Sequence, residues 1–409
     1  MKPHGPIPPG FAADADGMLR IGGRRADALA EAAGDTPLFV YDRAMLTARA
    51  AEWRTAMPGE VQLHYAMKAN PFAPLLAHMA TIVDGLDVAS GGELALALAS
   101  GMAAEHISFA GPGKRDRELE AAIAAGATLN LESAGEAARA LAIADRIGTR
   151  PRLAVRVNPD FDLKGSGMKM GGGAKPFGVD ADAVPALVRT LIDVGADWRG
   201  FHIFAGSQAL DADAIADTQA QTVALAARLA EAVGAAPPLV NLGGGMGVPY
   251  FPGDRAVDAA AVGARLAETL GTRGAALAES GFAMELGRWL VAEAGVYLTR
   301  VVDRKVSHGE TFLVTDGGLH HQLAASGNFG TVIRRNYPIA VAGRFGREAV
   351  ETVSVVGCLC TPLDRLGDQV GLPRADVGDL IALFQAGAYG ASASPAAFLG
   401  QGPAREMLV

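Results

Sequence analysis

Short apolar or mixed runs recur along the chain at residues 62–66, 85–89, 107–110, 128–131, 153–157, 201–204, 239–242 and 282–286. Each has strand length, and each then breaks into Gly, Asn, Ser, Glu or Lys. Ala- and Leu-rich stretches with helical spacing lie between them, as at 93–101 and 132–147. Strands alternating with helices imply βαβ units and a parallel sheet. Eight units in about 250 residues fit an α/β fold of the (β/α)8, or TIM-barrel, type, whose active site sits where strands run into the following loops. The rival reading is an open doubly wound sheet. A Gly/Lys-rich insertion at 159–178 interrupts the spacing after the fifth run.

From about residue 296 the pattern changes. Segments 296–302, 311–314, 349–356 and 380–384 are β-rich and bounded by turn residues such as His308-Gly309, Gly343 and Gly378-Asp379. The expectation is a barrel over 41–295 followed by a C-terminal all-β domain over 296–409.

Composition narrows the function classes. With 409 residues, two domains are the prior, and half the residues are hydrophobic, ample for a core. A formal net charge of −8 gives nucleic-acid binding no support. No apolar run reaches the roughly 18–20 residues of a membrane span, and the start, Met1-Lys-Pro-His-Gly-Pro-Ile-Pro-Pro-Gly10, has no apolar signal core. Cys358 and Cys360 are the only cysteines. Two ligands without a His or Cys cluster make a poor metal site, so no metal is expected. A disulfide between residues two apart would be strained. Free thiols suit a reducing cytoplasm.

The chemistry concentrates at three run ends. Lys68 closes the first, in His64-Tyr-Ala-Met-Lys-Ala-Asn-Pro71, where the plain reading is a solvated strand end and the functional one a side chain in the barrel mouth. After the seventh comes Asn241-Leu-Gly-Gly-Gly-Met-Gly-Val-Pro-Tyr250; at the eighth, Met284-Glu-Leu-Gly-Arg-Trp289. Glycines let backbone amides approach an anion, and barrels often build phosphate sites after strands seven and eight. Lysine, phosphate site and carboxylate together suggest pyridoxal 5'-phosphate.

The chain resembles the fold-type III pyridoxal phosphate-dependent decarboxylases, the group of diaminopimelate, ornithine and arginine decarboxylases, with an alanine racemase-like barrel. The resemblance is carried by Tyr65-Ala-Met-Lys-Ala-Asn70, Asp87-Val-Ala-Ser-Gly-Gly-Glu-Leu94, Phe109-Ala-Gly-Pro-Gly-Lys114, Arg156-Val-Asn-Pro159, Gly200-Phe-His-Ile-Phe-Ala-Gly-Ser-Gln208, the glycine run, Glu285-Leu-Gly-Arg288, Gly357-Cys-Leu-Cys-Thr-Pro-Leu-Asp364 and Gly387-Ala-Tyr-Gly390. It implies that residues 1–40 join the β domain. Lys68 then matches the lysine that forms a Schiff base with the cofactor. Gly243, Gly244 and Gly245 match the phosphate loop, with Gly287 and Arg288 beside it, Ser207 a phosphate-contacting serine, and Tyr389 a tyrosine touching the cofactor. Glu285 matches the carboxylate that keeps the pyridine nitrogen protonated; racemases of the same barrel place an arginine there. Cys360 matches the cysteine that returns a proton after carbon dioxide leaves, and Asp364 its companion at the substrate's far end. In the family both come from the neighbouring subunit, which implies a homodimer.

Some positions depart from the pattern. Phe204 stands where the family stacks a histidine on the cofactor; His202 lies two residues earlier on the same strand face, either in a polar role or as a satisfied core histidine. Diaminopimelate decarboxylases carry a glutamate where this chain has Thr361, and an arginine where an unaligned count places Ala324. The stretch from Gly317 to Gly330 and then Arg334-Arg-Asn-Tyr-Pro338 resembles a subgroup associated with exosortase and exopolysaccharide gene clusters, and is similar to decarboxylases acting on a glutamyl group carried by an acyl carrier protein. Arg334 and Arg335 are candidates to meet an acidic substrate or a carrier; a solvated basic turn is the plain alternative. The expectation is an L-amino-acid α-decarboxylase, a carbon–carbon lyase acting on a small amino-acid substrate, free or carrier-bound. The alternatives are diaminopimelate decarboxylase of lysine biosynthesis, or a non-catalytic regulatory homologue.

Overall fold

The computed structural model describes residues 1–327 and 335–409. The chain divides into two compact units, one of residues 49–247 and 256–287, the other of 1–48, 248–255 and 288–409.

In the first unit, among the described residues, eight parallel strands close on themselves: β1 (Val61–Ala66), β2 (Gly85–Val88), β3 (Ile107–Phe109), β4 (Thr128–Leu131), β5 (Arg152–Asn158), β6 (Asp197–Ile203), β7 (Leu239–Asn241) and β8 (Gly281–Leu286). Each pairs with the next in sequence, and β8 returns to β1 with Glu285 opposite His64. Closure decides for the barrel over an open doubly wound sheet. Each expected run falls on one of these strands. β6 begins four residues earlier than its apolar run, because a register shift between Trp198 and Gly200 lets a mixed segment join the ladder. The intervening helices are stopped by local chemistry. Ser90, Ser133, Asp211 and Asp258 accept amide hydrogen bonds at N-caps, and Gly126, Gly148 and Gly234 end helices in the left-handed conformation. Helix Ala134–Ile147 buries Ala137, Ala140, Ile143 and Ala144, the stripe that a 3.6-residue period presents to one side. Part of the 159–178 insertion becomes the strand Met168–Lys169, paired antiparallel with Gly206–Ser207.

The second unit is β-rich. Its 13-residue strand Gly295–Ser307 pairs in its first half with Leu38–Tyr41 and Leu380–Phe384, and in its second with Glu310–Thr315. Its burial changes along its length, from buried at Gly295–Thr299 to mostly exposed beyond Val301. Glu351–Val356 and Arg365–Leu372 extend the second arm; Ile339–Val341 and Arg405–Leu408 complete the first. Leu19, Ile21, Leu29, Leu38, Val40, Val296, Leu298 and Phe384 form the core here. Among the described residues, no helix is long and apolar enough to cross a membrane.

Candidate active site

Lys68 sits in a single 3-10 turn, Met67–Ala69, directly after β1. The turn is braced on its far side: the Tyr65 hydroxyl donates to the Asn70 carbonyl at 2.9 Å, and the Asn70 side chain accepts from the Phe72 amide at 3.1 Å. The Lys68 side chain is 44% exposed, which leaves its amine reachable. Its Nζ lies 3.9 Å from Glu285 Oε1 and 5.5 Å from the centroid of the Phe204 ring.

Glu285 is almost fully buried at the end of β8. Its other oxygen, Oε2, is 2.8 Å from His202 Nε2. Burial by itself would raise this carboxyl. The hydrogen bond and charge of His202, then Lys68 and Arg156, outweigh burial and hold it well below the usual carboxylate range. A buried acid is thus kept ionised beside a lysine. His202 therefore has the polar role left open by the sequence, and its Nδ1 is buried with no partner among the described residues. Phe204 lies beyond it, ring centroids 6.5 Å apart.

The glycine run is required by its surroundings. A Cβ on Gly243 would stand 2.6 Å from the Ile203 carbonyl oxygen, and one on Gly244 would collide with the Glu285 carbonyl oxygen. Gly243 and Gly245 have φ of +70° and +110°. Their carbonyls accept from the Glu285 and Ala209 amides, while the amides of Gly244 and Gly245 donate to nothing among the described residues. Gly287 is also confined, with a built Cβ 3.1 Å from the Ala66 carbonyl oxygen. Ser207 is half-buried, its backbone held opposite Met168.

Other charged groups lie on the barrel strands and on the segments that follow them. His64 Nδ1 is 3.5 Å from Asp87 Oδ2. Glu132 accepts from Arg156 Nη1 at 2.8 Å and from the amides of Gly111 and Gly178. Lys114 donates to Glu136 at 2.6 Å and to the carbonyls of Gly111 and Asn130. The motifs ending in Lys114 and beginning at Arg156 were legible only as family signatures. Their role here is to bind neighbouring strand ends and loops to one another. His64, Asp87, Glu132 and Glu136 were not singled out as site residues. His64 and Asp87 lie within their strands, Glu132 directly follows one and Glu136 is on the next helix, so no single pattern announced them.

In the β-rich unit, Arg288 Nη1 donates to the Tyr250 hydroxyl at 2.9 Å, and its guanidinium lies 4.6 Å from the centre of the Tyr389 ring. Tyr389 has a φ of +57°, a strained conformation for a non-glycine residue. The Arg335 guanidinium lies 3.8 Å from the centre of the Phe251 ring. Arg334 lies outside the described residues. Cys358 and Cys360 are free thiols, both exposed. Thr361 is half-buried, and its hydroxyl accepts from the Leu363 amide at 3.4 Å.

The family resemblance implies that Asp364 stands at the substrate's far end. Here it is buried, with Oδ1 accepting from the Leu319 amide at 2.7 Å and Oδ2 from the Leu359 amide at 2.9 Å. Cβ atoms on Gly318 or Gly357 would strike the carboxylate. Each oxygen holds one backbone amide, and Asp364 also lines a cavity with Cys358, Leu359 and Thr361. Among the described residues, no group of acidic, His or Cys side chains could hold a metal.

Residues 43–292 match the family model described as pyridoxal-dependent decarboxylase, pyridoxal binding domain. The chain belongs to the pyridoxal-dependent decarboxylase family, and is a carboxy-lyase that uses pyridoxal phosphate. It is 38% identical over 382 residues to the L-glutamyl-[BtrI acyl-carrier protein] decarboxylase of Niallia circulans, covering 91% of this chain and 89% of that protein. It is 31% identical over 378 residues to the diaminopimelate decarboxylase of Archaeoglobus fulgidus, covering 92% and 88%. The crystal structure of diaminopimelate decarboxylase from M. jannaschii in complex with L-lysine superposes with a TM-score of 0.87 at 26% identity, covering 98% of this chain and 92% of that one. The barrel's residues fit the cofactor. A loop of tightly confined glycines offers undonated amides suited to a phosphate, a reachable amine suits an aldehyde, and a buried ionised acid suits a ring nitrogen.

Proposed function

We propose that the chain removes the α-carboxyl group of an L-amino acid, with Lys68 as the amine that holds the cofactor covalently, and that its substrate is an acidic aminoacyl group on a carrier protein. Bound pyridoxal phosphate supplies an electron sink for the pair left behind when carbon dioxide departs. The observation that carries the reading is the buried, ionised Glu285, fixed by His202 and 3.9 Å from Lys68. A carboxylate in that place keeps a proton on the ring nitrogen and favours decarboxylation over racemisation. Gly243, Gly244, Gly245, Gly287 and Ser207 would hold the phosphate and Phe204 would meet the ring; Arg288 and Tyr389 are the further candidates that the family resemblance names. Cys360, from a second copy of the chain, returns the proton, which makes the working form a homodimer.

The carrier-bound substrate is supported by the relative at 38% identity, whose name specifies an L-glutamyl group on an acyl-carrier protein. Thr361 and Ala324, standing where diaminopimelate decarboxylases carry acidic and basic groups for the distal end, argue the same way. Arg334 and Arg335 are the candidates to meet the acidic group or the carrier, and an exopolysaccharide-type biosynthetic pathway is the proposed setting. The test is carbon dioxide release by the cofactor-loaded protein. The panel is free diaminopimelate, ornithine, arginine, lysine and glutamate, and glutamyl loaded on an acyl carrier protein. Release from the carrier-bound group alone is expected. Release from free diaminopimelate would overturn the substrate reading in favour of the lysine-pathway enzyme, and no release from any would favour a regulatory homologue.

A further inference from the structure

The carboxyl ends of the barrel strands carry Lys68, Glu285 and the glycine loop; a further space lies toward the amino ends, and His64 reaches its wall. A cavity of about 380 Å³ lies there, lined by residues of several strands and their preceding loops. Barrel interiors are ordinarily filled by layers of branched aliphatic side chains. Here the lining positions include Ser108, Ala154 and Gly281, too small to fill the centre. A Cβ on Gly281 would find its nearest atoms at 3.4 Å, so the space beside it is open enough for a side chain.

Arg152 and Arg199 both line this cavity. Arg152 Nε is buried with no partner among the described residues. Its Nη2 reaches the Glu105 carbonyl at 3.3 Å, and its Nη1 stands 3.6 Å from Asp197 Oδ2. Arg199 Nη1 is 3.6 Å from the other oxygen of the same carboxylate. Asp197 thus stands between two guanidinium groups, at hydrogen-bond distance from neither, and Glu105 adds a second, weaker attraction on Arg152. Glu105, an acid on the cavity wall, faces His106 Nε2 at 3.7 Å. Burial, and after it the charge of Arg199, pulls the Arg152 pKa below its ordinary value. Such a pair is short of negative charge and of acceptors, and guanidinium forks match carboxylates and phosphates in geometry. The inner wall adds Asn130 and Asn241, both about nineteen-twentieths buried or more. Asn241 Oδ1 also accepts from the Gly243 amide at 2.9 Å, so one side chain belongs both to the cavity wall and to the support of the glycine loop.

We infer that this cavity is a binding site for a small carboxylate or phosphate anion, held by Arg152 and Arg199 and distinct from the site at the carboxyl ends of the strands. Occupancy would add the missing acceptor for Arg152 Nε and order the wall that supports Gly243. Neither statement depends on which amino acid the enzyme decarboxylates.

The test is calorimetric titration of the protein with its cofactor bound, so that phosphate cannot report on the cofactor's own phosphate loop. Succinate and inorganic phosphate are the two probes, and the tighter of them says whether a carboxylic acid or a phosphate is the natural source. Saturable binding of one ion per chain is expected, weakened at least tenfold in Arg152→Gln and in Arg199→Gln. Gly281→Val, which fills the space without touching a charge, should abolish it. Each variant should keep the cofactor's absorption band, which shows that it has folded. No saturable heat up to about 10 mM of either probe, or binding unchanged in all three variants, would overturn the inference.

Discussion

The Glu285 corner of the barrel and the cysteine loop of the β-rich unit both hold groups proposed to react, by opposite means. In the barrel, strand register does the work. Glu285 and His202 are carried on strands, meet at 2.8 Å and are buried together. The charged groups are themselves the rigid part. In the cysteine loop the thiols are exposed, and the rigid part is a carboxylate, Asp364, that grips the amides of Leu319 and Leu359 from within. Charge in the first region sets the chemistry. Charge in the second sets the backbone from which chemistry is presented. Substitutions should therefore act on turnover in the first and on loop geometry, then turnover, in the second.

The largest effect is expected at Lys68. Lys68→Ala should abolish turnover and the absorption band near the visible edge of the spectrum; a surviving band would refute Lys68 as the residue carrying the cofactor. Glu285→Gln is next. The amide can still hydrogen-bond His202 but is no longer an anion, and turnover should fall by roughly 10²–10³-fold, the scale of removing one preorganised electrostatic group. Cofactor should remain bound, read from the same band. Unchanged turnover would remove the distinction drawn above, since the corner would then be structural.

For the loop, Cys360→Ser should slow turnover by roughly 10²-fold, a common size for a lost proton donor, while Cys358→Ser leaves it within a factor of a few. Equal effects would show that neither thiol has a defined role. Asp364→Asn offers one acceptor where two amides need one each, and should cost about 1.5–3 kcal/mol in thermal or denaturant unfolding. If instead it raised KM without loss of stability, the carboxylate would be a substrate contact after all.

Much of this was legible in the sequence because it rests on periodicity. The runs at 62–66 and 282–286 became β1 and β8, neighbours across the closure, which is what brings Lys68 and Glu285 together. Strands such as Leu38–Tyr41 and Arg405–Leu408 carried no usable signal, since they pair across more than 360 residues of chain and have no hairpin turn to announce them. His202 was ambiguous because a period-two strand says which face a side chain takes but not what stands opposite; the partner, Glu285, is 83 residues away. The backbone contacts of Asp364 were hidden for a related reason. The motif places it near Cys360, and only the fold shows that its oxygens turn inward to backbone amides. The cavity at the amino ends depends on the joint size of residues on several strands, which no single run displays.

The smallest expected effect lies in the β-rich unit, at a pair of histidines that the sequence showed but did not explain. His321 is satisfied at both ring nitrogens, Nδ1 2.9 Å from the Tyr297 hydroxyl and Nε2 3.0 Å from the Gly402 carbonyl. His320 is buried beside it, ring centroids 3.8 Å apart, and neither of its nitrogens has a partner among the described residues. Burial, and then the neighbouring His321, pulls the His320 pKa from 6.5 down to about 4. A base held below its ordinary value resists protonation in the folded state while the unfolded chain accepts the proton. The stability that follows from keeping His320 neutral is therefore whole above pH 6.5 and is lost as pH falls from there towards about 4. Unfolding midpoints measured from pH 7.5 to 4.5 should decline more steeply in the natural protein than in His320→Gln, which cannot titrate. Parallel declines would show that the proton reaches His320 in the folded state, and that this part of the β-rich unit opens more readily than the fixed charges of the barrel corner.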